Sequence, residues 1–194
     1  MAAGKRERLI LAATDLFHMQ GISGTSIADI ANEADVPVGN VYYYFKTKEE
    51  LGLAAAEERL QQSRDFIASL NNEFQSPKER IRAAIRFFDE AKDEYAKYGC
   101  PIAQICQVAD TQKDDVARAY ARVFKDYTEW MAGQFGAMGF DADVAEEYAH
   151  SILVRMQGSV VVAKAMQDSR VIAREVEATE MWFDSLHISP AIAA

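Results

Sequence analysis

The stretch "VPVGNVYYYFKTKEEL", residues 36–51, sets four aromatic rings in succession behind a proline and ends in a lysine-rich corner. Successive residues of a helix point roughly 100° apart, so four adjacent rings cannot share one buried face and some must reach the surface. Pro37 cannot continue a helix that precedes it, yet it suits the first turn of one that follows. Just upstream, "TSIADIANEAD" opens with Thr25 and Ser26 as N-cap candidates. Asp29 lies three residues beyond Ser26, at the capping-box distance, and Ile27, Ile30 and Ala31 supply an apolar face. Two short helices, over 26–34 and 37–45, therefore meet across a tight turn, which is a helix-turn-helix.

Outward from this unit every segment reads as helix. Over 5–20, Leu9, Ala12, Ala13, Leu16 and Phe17 form one apolar stripe, and Gly21 stops the helix. Beyond Lys48 the predicted helices lengthen, to 48–74, 77–97, 101–111, 113–137, 143–167 and 169–187, separated by "SP", "YGCP" and "MGFDAD" and followed by a fraying tail, "ISPAIAA". Ile81, Ile85, Phe88 and Tyr95 keep one face of the 77–97 helix, and Val116, Tyr120, Val123, Tyr127 and Trp130 one face of the next long one. No stretch alternates apolar and polar residues as a strand would. The expected fold is all-α: a three-helix head over 1–48 on a larger helical body over 49–194.

Composition is that of a globular chain with a core, 194 residues with 49% hydrophobic and 26% charged. Glu7 and Asp15 break up what would otherwise resemble a signal peptide, and no run approaches a membrane span. Cys100 and Cys106 are the only cysteines, too few for a disulfide framework, so a reduced, cytoplasmic protein with no membrane partner is expected. The net charge of −9 is unevenly placed. Over 1–48 five basic and five acidic residues cancel, so all of it belongs to the body, and the basic groups of the head stay available to an anion.

A helix seated in the major groove presents the side chains near its N-terminus to base edges, here Val38, Gly39 and Asn40. Asn suits a bidentate contact to adenine, Val a thymine methyl, and Gly a close approach of backbone. Phosphates are held by hydroxyls, ammonium groups and helix N-termini, which Tyr42, Tyr43, Tyr44 and Lys48 supply. A tyrosine packs at its base and reaches phosphate at its tip, whereas Phe45 is suited to turn inward.

The pattern "TSIADIANEADVPVGNVYYYFKTKEEL" resembles the DNA-binding signature of the TetR/AcrR family of transcriptional repressors, and Leu9, Ala12, Ala13, Leu16, Phe17 and Gly21 match that family's first helix. The resemblance covers roughly residues 8–51 without a gap; the body agrees in architecture only. It implies DNA contact for Ser26, Val38, Asn40, Tyr42, Tyr43, Tyr44 and Lys48, with Thr25 and Gly39 joining the candidate set. It also implies a homodimer on double-stranded DNA at a palindromic operator, a cavity in the body for a small, hydrophobic or electrophilic effector, and an interface built from the last two long helices. Pro37 departs from the family, which often has a capping hydroxyl there.

In the body, "SILVRMQGSVVVAKAM" (151–166) is apolar around most of its circumference and must bury two sides, with Gly158, Ser159, Ala163 and Ala165 allowing close approach. Ile172, Val176, Phe183 and Leu186 extend the same surface from the last helix. "YGCPIAQICQ" places Cys100 at a helix N-cap, where the dipole favours a thiolate. The alternatives there are a sensor thiol, as the Gly-Cys pair of some electrophile-sensing repressors of the family implies, or a small buried apolar residue. Phe88, Tyr95, Cys100, Phe124, Tyr127, Met156 and Trp182 are the candidate effector residues, with plain core as their competing role.

Two rival readings compete with DNA binding. Glu147 and His150 form a Glu-x-x-His, which helical di-metal oxidoreductases use twice, but neither His18 nor His187 carries a second copy. There is no Gly-rich phosphate loop and no His-Glu-x-x-His, so no catalytic residue, metal ligand or cofactor is assigned. A helix-turn-helix also occurs in protein-interaction modules; the tyrosine and lysine cluster separates the two, because only DNA binding releases counterions.

Overall fold

The computed structural model describes residues 4–108 and 114–187. Within them lie ten helices: α1 (Lys5–Gly24), α2 (Ile27–Glu33), α3 (Val38–Tyr44), α4 (Lys48–Glu73), α5 (Pro77–Glu90), α6 (Lys92–Tyr98), α7 (Ala103–Val108), α8 (Asp115–Ala137), α9 (Ala142–Met166) and α10 (Arg170–Ser185). The all-α expectation holds. The predicted helix end at Thr111, the start at Lys113 and the frayed tail over 188–194 lie outside the described residues.

Differences from the sequence reading have local causes. Gly21 interrupts α1 with φ 76°, a left-handed value that glycine adopts freely, before the chain continues to Gly24. The helix expected over 77–97 is two helices, broken at Ala91 (φ −93°, ψ 6°), whose amide donates to the Asp89 and Phe87 carbonyls. Pro101 is not a first helical residue; Pro101 and Ile102 form a turn, and α7 begins at Ala103.

The described residues divide into two compact units. One joins the chain up to Phe66 with Tyr98–Lys125. Its core begins in the head, where Leu9, Ala13, Phe17, Ile30, Ala31, Val41 and Phe45 pack with Leu51 and Ala55 of α4. The stripe read along α1 is thus the face that is buried. Gly52 brings α4 against α8: a Cβ there would meet both Val116 methyls at 3.2–3.3 Å. His18, on the next residue after the buried Phe17, donates from Nε2 to the Gly99 carbonyl at 2.7 Å and stands edge-on to the Tyr98 ring. Gln104 donates to the His18 carbonyl at 3.5 Å and also to that of Tyr98.

The second unit joins Ile67–Lys97 with the chain from Asp126 onward. Here α10 packs on α9 and α5. Arg82 of α5 donates to both carboxylate oxygens of Asp184 at 2.6 and 3.2 Å, and Arg86 reaches Glu180 at 2.8 Å. Gly139 (φ 100°) ends α8, and the Phe140 amide donates back to the Phe135 carbonyl at 3.2 Å, the glycine-ended helix stop expected from "MGF". Around Phe135 gather Phe140, Tyr148 and Phe183, all with ring centroids within 5.8 Å of it.

Candidate nucleic-acid interface

Ser26 caps α2 reciprocally: its hydroxyl accepts from the Asp29 amide at 3.1 Å, and the Asp29 carboxylate accepts from the Ser26 amide at 2.8 Å. The Ser26 hydroxyl also donates to the same carboxylate at 2.6 Å. These bonds, helped by the Lys48 charge, hold the Asp29 carboxyl below its ordinary range. The turn to α3 passes through Asp35, which is left-handed at φ 50°, and the Val36 amide closes it on the Ala31 carbonyl at 2.9 Å. Arg8 of α1 fastens this turn, donating to the Asp35 carbonyl at 3.3 Å.

Pro37 is the N-cap of α3 rather than its first residue, and contributes no side-chain cap. On α3 the rings part as four consecutive residues must. Tyr42 is 52% exposed and Tyr43 77%, whereas Tyr44 is half-buried against the head core and Phe45 is buried. Arg6 covers the Phe45 ring at 5.2 Å. Val38, Gly39 and Asn40 are all exposed at the start of α3. A Cβ added at Gly39 would meet nothing within 4 Å, so the chain's own packing makes no demand for glycine there. Lys48, half-buried, opens α4.

Thr25 is a correction to the candidate set. It is 1% exposed, and its hydroxyl donates to the Gly21 carbonyl at 2.8 Å and that of Leu16 at 3.3 Å, so it closes the end of α1 and presents no surface to DNA. The sequence reading also passed over Lys46 and Thr47. Lys46 donates from Nζ to the Tyr42 carbonyl at 2.7 Å, at the C-terminal end of α3, and the Thr47 hydroxyl accepts from the Glu50 amide at 3.1 Å. The Thr-x-x-Glu of "TKEE" is the capping signal that marks this corner.

Two sequence models match the chain: one described as bacterial regulatory proteins, tetR family, over residues 9–55, and one described as the C-terminal domain of LmrA/YxaF-like transcriptional regulators, over residues 77–177. The chain belongs to the TetR family of transcription regulators. As a TetR-family protein it is a DNA-binding transcription factor and not an enzyme. Among its relatives, an HTH-type transcriptional regulator from the lacX 3′ region of Lactococcus lactis is 23% identical over 93% of this chain and 94% of its own length. The HTH-type regulator LmrA of Bacillus subtilis is 24% identical over 84% of this chain and 88% of its own. In fold, the crystal structure of a TetR regulator from Legionella pneumophila superposes with TM-score 0.80 at 19% identity, covering 93% of this chain and 98% of that one.

The candidate effector residues of this TetR-family chain fall in both compact units. In the second, Phe88 and Tyr95 stack at 5.5 Å, while Tyr127 donates to the Ala84 carbonyl at 3.5 Å and is held well above the ordinary tyrosine range by burial. Met156 is fully buried, and Trp182 lies edge-on to Tyr148 at 5.4 Å with the Arg155 guanidinium over its ring. Phe124 and Cys100 belong to the first unit. Cys100 is 5% exposed, and its sulfur accepts from the Ala103 amide at 3.5 Å, so the thiol caps the short α7 from the interior. Cys106 is half-buried, donates to the Ala117 carbonyl at 3.7 Å, and has its thiol pKa raised by burial first and the neighbouring Cys100 second. Glu147 and His150 are both exposed on α9, and the His150 Nδ1 donates to the Glu146 carbonyl at 2.9 Å. No helix among the described residues is long and apolar enough to cross a membrane.

Proposed function

We propose that the chain is a cytoplasmic, effector-released repressor that binds a palindromic operator as a homodimer through α9 and α10. The observation that carries the DNA part is the exposed row Val38, Gly39, Asn40, Tyr42 and Tyr43 on α3, with Tyr44 anchoring it and Lys48 beside it. In this reading the first three face base edges in the major groove, while the tyrosine hydroxyls and Lys48 hold phosphates. Ser26 adds the N-terminus of α2, its hydroxyl already committed to the cap.

The dimer part rests on apolar surface that a lone chain leaves in water. Val154, Val161, Val162 and Met166 of α9 are 45–68% exposed, and Met181 of α10 is 74% exposed. An open groove in the same unit mixes apolar lining (Val154, Val162, Val171 and Ala178) with the charged Arg155, Arg174 and Glu175, and a Cβ at Gly158 in its wall would touch nothing. In a dimer formed over this face, operator binding requires the two heads to stand at the spacing of half-sites, about 34–36 Å or a multiple of it. A small hydrophobic or electrophilic effector, received either in the first unit by residues that include Cys100 and Phe124 or in the second by residues drawn from Phe88, Tyr95, Tyr127, Met156 and Trp182, changes that spacing and lowers affinity at both half-sites. An electrophile would have to enter the interior to reach Cys100, since the thiol is shielded.

The test is selection of bound duplexes from a random DNA pool by the purified protein and by Lys48→Ala. Enrichment of a palindrome by wild type and its loss in the variant support the reading. Salt-dependent background without enrichment in either rejects it.

A further inference from the structure

Three buried hydrogen-bond donors of the first unit have no partner among the described residues, the Nε–H groups of Arg8 and Arg59 and the Tyr120 hydroxyl, and the last two sit on α4 and α8. Tyr120, on α8, is 1% exposed, and its hydroxyl has no partner among the described residues. The Nε–H of Arg59, on α4, is buried and unpaired in the same way. The remaining guanidinium nitrogens are occupied: Nη1 donates to the Gln62 side chain at 3.0 Å, and Nη2 donates to the Thr14 carbonyl at 3.2 Å and lies 3.6 Å from the Asp15 carboxylate. Native interiors pair nearly all such groups, and leaving one unpaired costs stability; Tyr120 and Arg59 lie on helices held side by side by the close approach of Gly52 to Val116 and by the Glu57–Arg122 ion pair at 2.9 Å, so their two donors call for a shared missing partner.

The chemistry of that partner follows from the donors. Burial raises the Tyr120 pKa to about 12, against the opposing pull of the Arg59 charge, so the hydroxyl keeps its proton at neutral pH. The Arg59 Nε–H donates only. A group that satisfies both is an acceptor with two oxygens to offer, and next to a guanidinium a negatively charged one is favoured. The setting is otherwise apolar: Val116 and Val123 flank Tyr120 by one turn on α8, and Ala55, Ala56 and Leu60 neighbour Arg59 on α4, all buried.

We infer that Tyr120 and Arg59 form the polar end of the effector site, and that the effector is a monocarboxylate on an apolar body. This rests on the effector-released reading above and deepens it. It also supplies a route to the head, because the side chain that would meet the carboxylate is the one that ties α4 to Thr14 and Asp15 of α1.

The experiment uses the full chain, with benzoate and octanoate as probes against benzyl alcohol and octan-1-ol, in calorimetry and thermal shift. The wild type is expected to bind each carboxylate at least about tenfold more tightly than the alcohol of matching shape. Tyr120→Phe should lose about tenfold in carboxylate affinity, leave alcohol binding unchanged and melt no lower than wild type, since it removes an unpaired hydroxyl. Arg59→Lys should show the same loss, and Tyr120→Phe keeps the test sound if the lysine variant folds poorly. Carboxylates that bind no better than alcohols, or a Tyr120→Phe that binds them as wild type does, overturn the inference and assign the hydroxyl to a buried water. Operator binding by the unliganded protein is measured separately. Carboxylate binding without operator binding rejects the repressor and keeps the site; the reverse rejects the site and keeps the repressor.

Discussion

Under the proposed mode of DNA binding, Gly39 is the residue at which folding and function ask for different things. Nothing in the chain lies near its missing Cβ, and alanine is favoured over glycine in a helix by up to about 1 kcal/mol. Gly39→Ala should therefore raise the urea midpoint while weakening operator binding by about tenfold, the cost of a methyl between backbone and duplex. A gel-shift titration beside a urea melt reads both, and unchanged affinity would take Gly39 off the duplex. Tyr120 offers a test at the other end of the pH scale. Its pKa is raised when folded, so its titration leaves stability untouched below the ordinary tyrosine value near 10 and lowers it as pH rises towards about 12. Melts at pH 9, 10 and 11 should show a steeper alkaline loss for wild type than for Tyr120→Phe, with a residue of slope from Tyr127, which burial shifts in the same direction. The splay of the four rings was legible residue by residue, and Tyr43 outward with Phe45 inward is how the run achieves it. Thr25 was not, because its hydroxyl turns back to carbonyls of α1, a contact set by the path of the chain after Gly21.

At the scale of elements, caps and breaks decide. Ser76 and Glu79 cap α5 as Ser26 and Asp29 cap α2, and in both the cap hydrogen bonds hold the carboxyl below its ordinary value. The stabilisation is present above the ordinary carboxylate range and is lost as pH falls through the lowered folded value. Ser76→Ala should melt a few degrees below wild type at pH 7, and the gap should narrow at pH 3, where the carboxylate it leaves behind is being protonated anyway. A gap that widens in acid would show that the cap is not the source. The starts of helices with such punctuation were read from sequence to within a residue. The break at Ala91 was not, since alanine carries no turn chemistry and the apolar spacing of Ile81, Ile85 and Phe88 continues past it. The start of α7 was misplaced by two residues because proline marks a place where a helix can begin without requiring it.

For the molecule as a whole, the exposed apolar face of α9 and α10 and the uneven charge set the expectations. Val161→Asp combined with Met181→Asp should sediment as a monomer and lose operator binding while keeping its helical circular dichroism, because both side chains already face solvent in one chain. A double variant that stays dimeric would move the interface elsewhere. Affinity for the operator should fall steeply with salt despite the net charge of −9, since the acidic surplus lies beyond residue 48. The helical body was legible as an architecture, and so was the excess of apolar side chains on α9, several of which stand exposed. Which polar groups end up unpaired inside it depends on how α4 and α8 meet at Gly52, and no spacing rule reports that.

The bond from His18 to the Gly99 carbonyl bears on how separable the reading head is from the rest. Transcription factors invite engineering by exchange, a new head grafted at the junction near residue 48 to redirect the same response to another promoter. Here such a graft would replace residue 18, whose ring and carbonyl are both engaged by Tyr98, Gly99 and Gln104, and residues 14 and 15, which Arg59 grips. If the chain is effector-released as proposed, a chimera that keeps recognition but not these partners should occupy its new promoter and ignore the effector, whereas one that carries Thr14, Asp15 and His18 across with the foreign helix should regain its response.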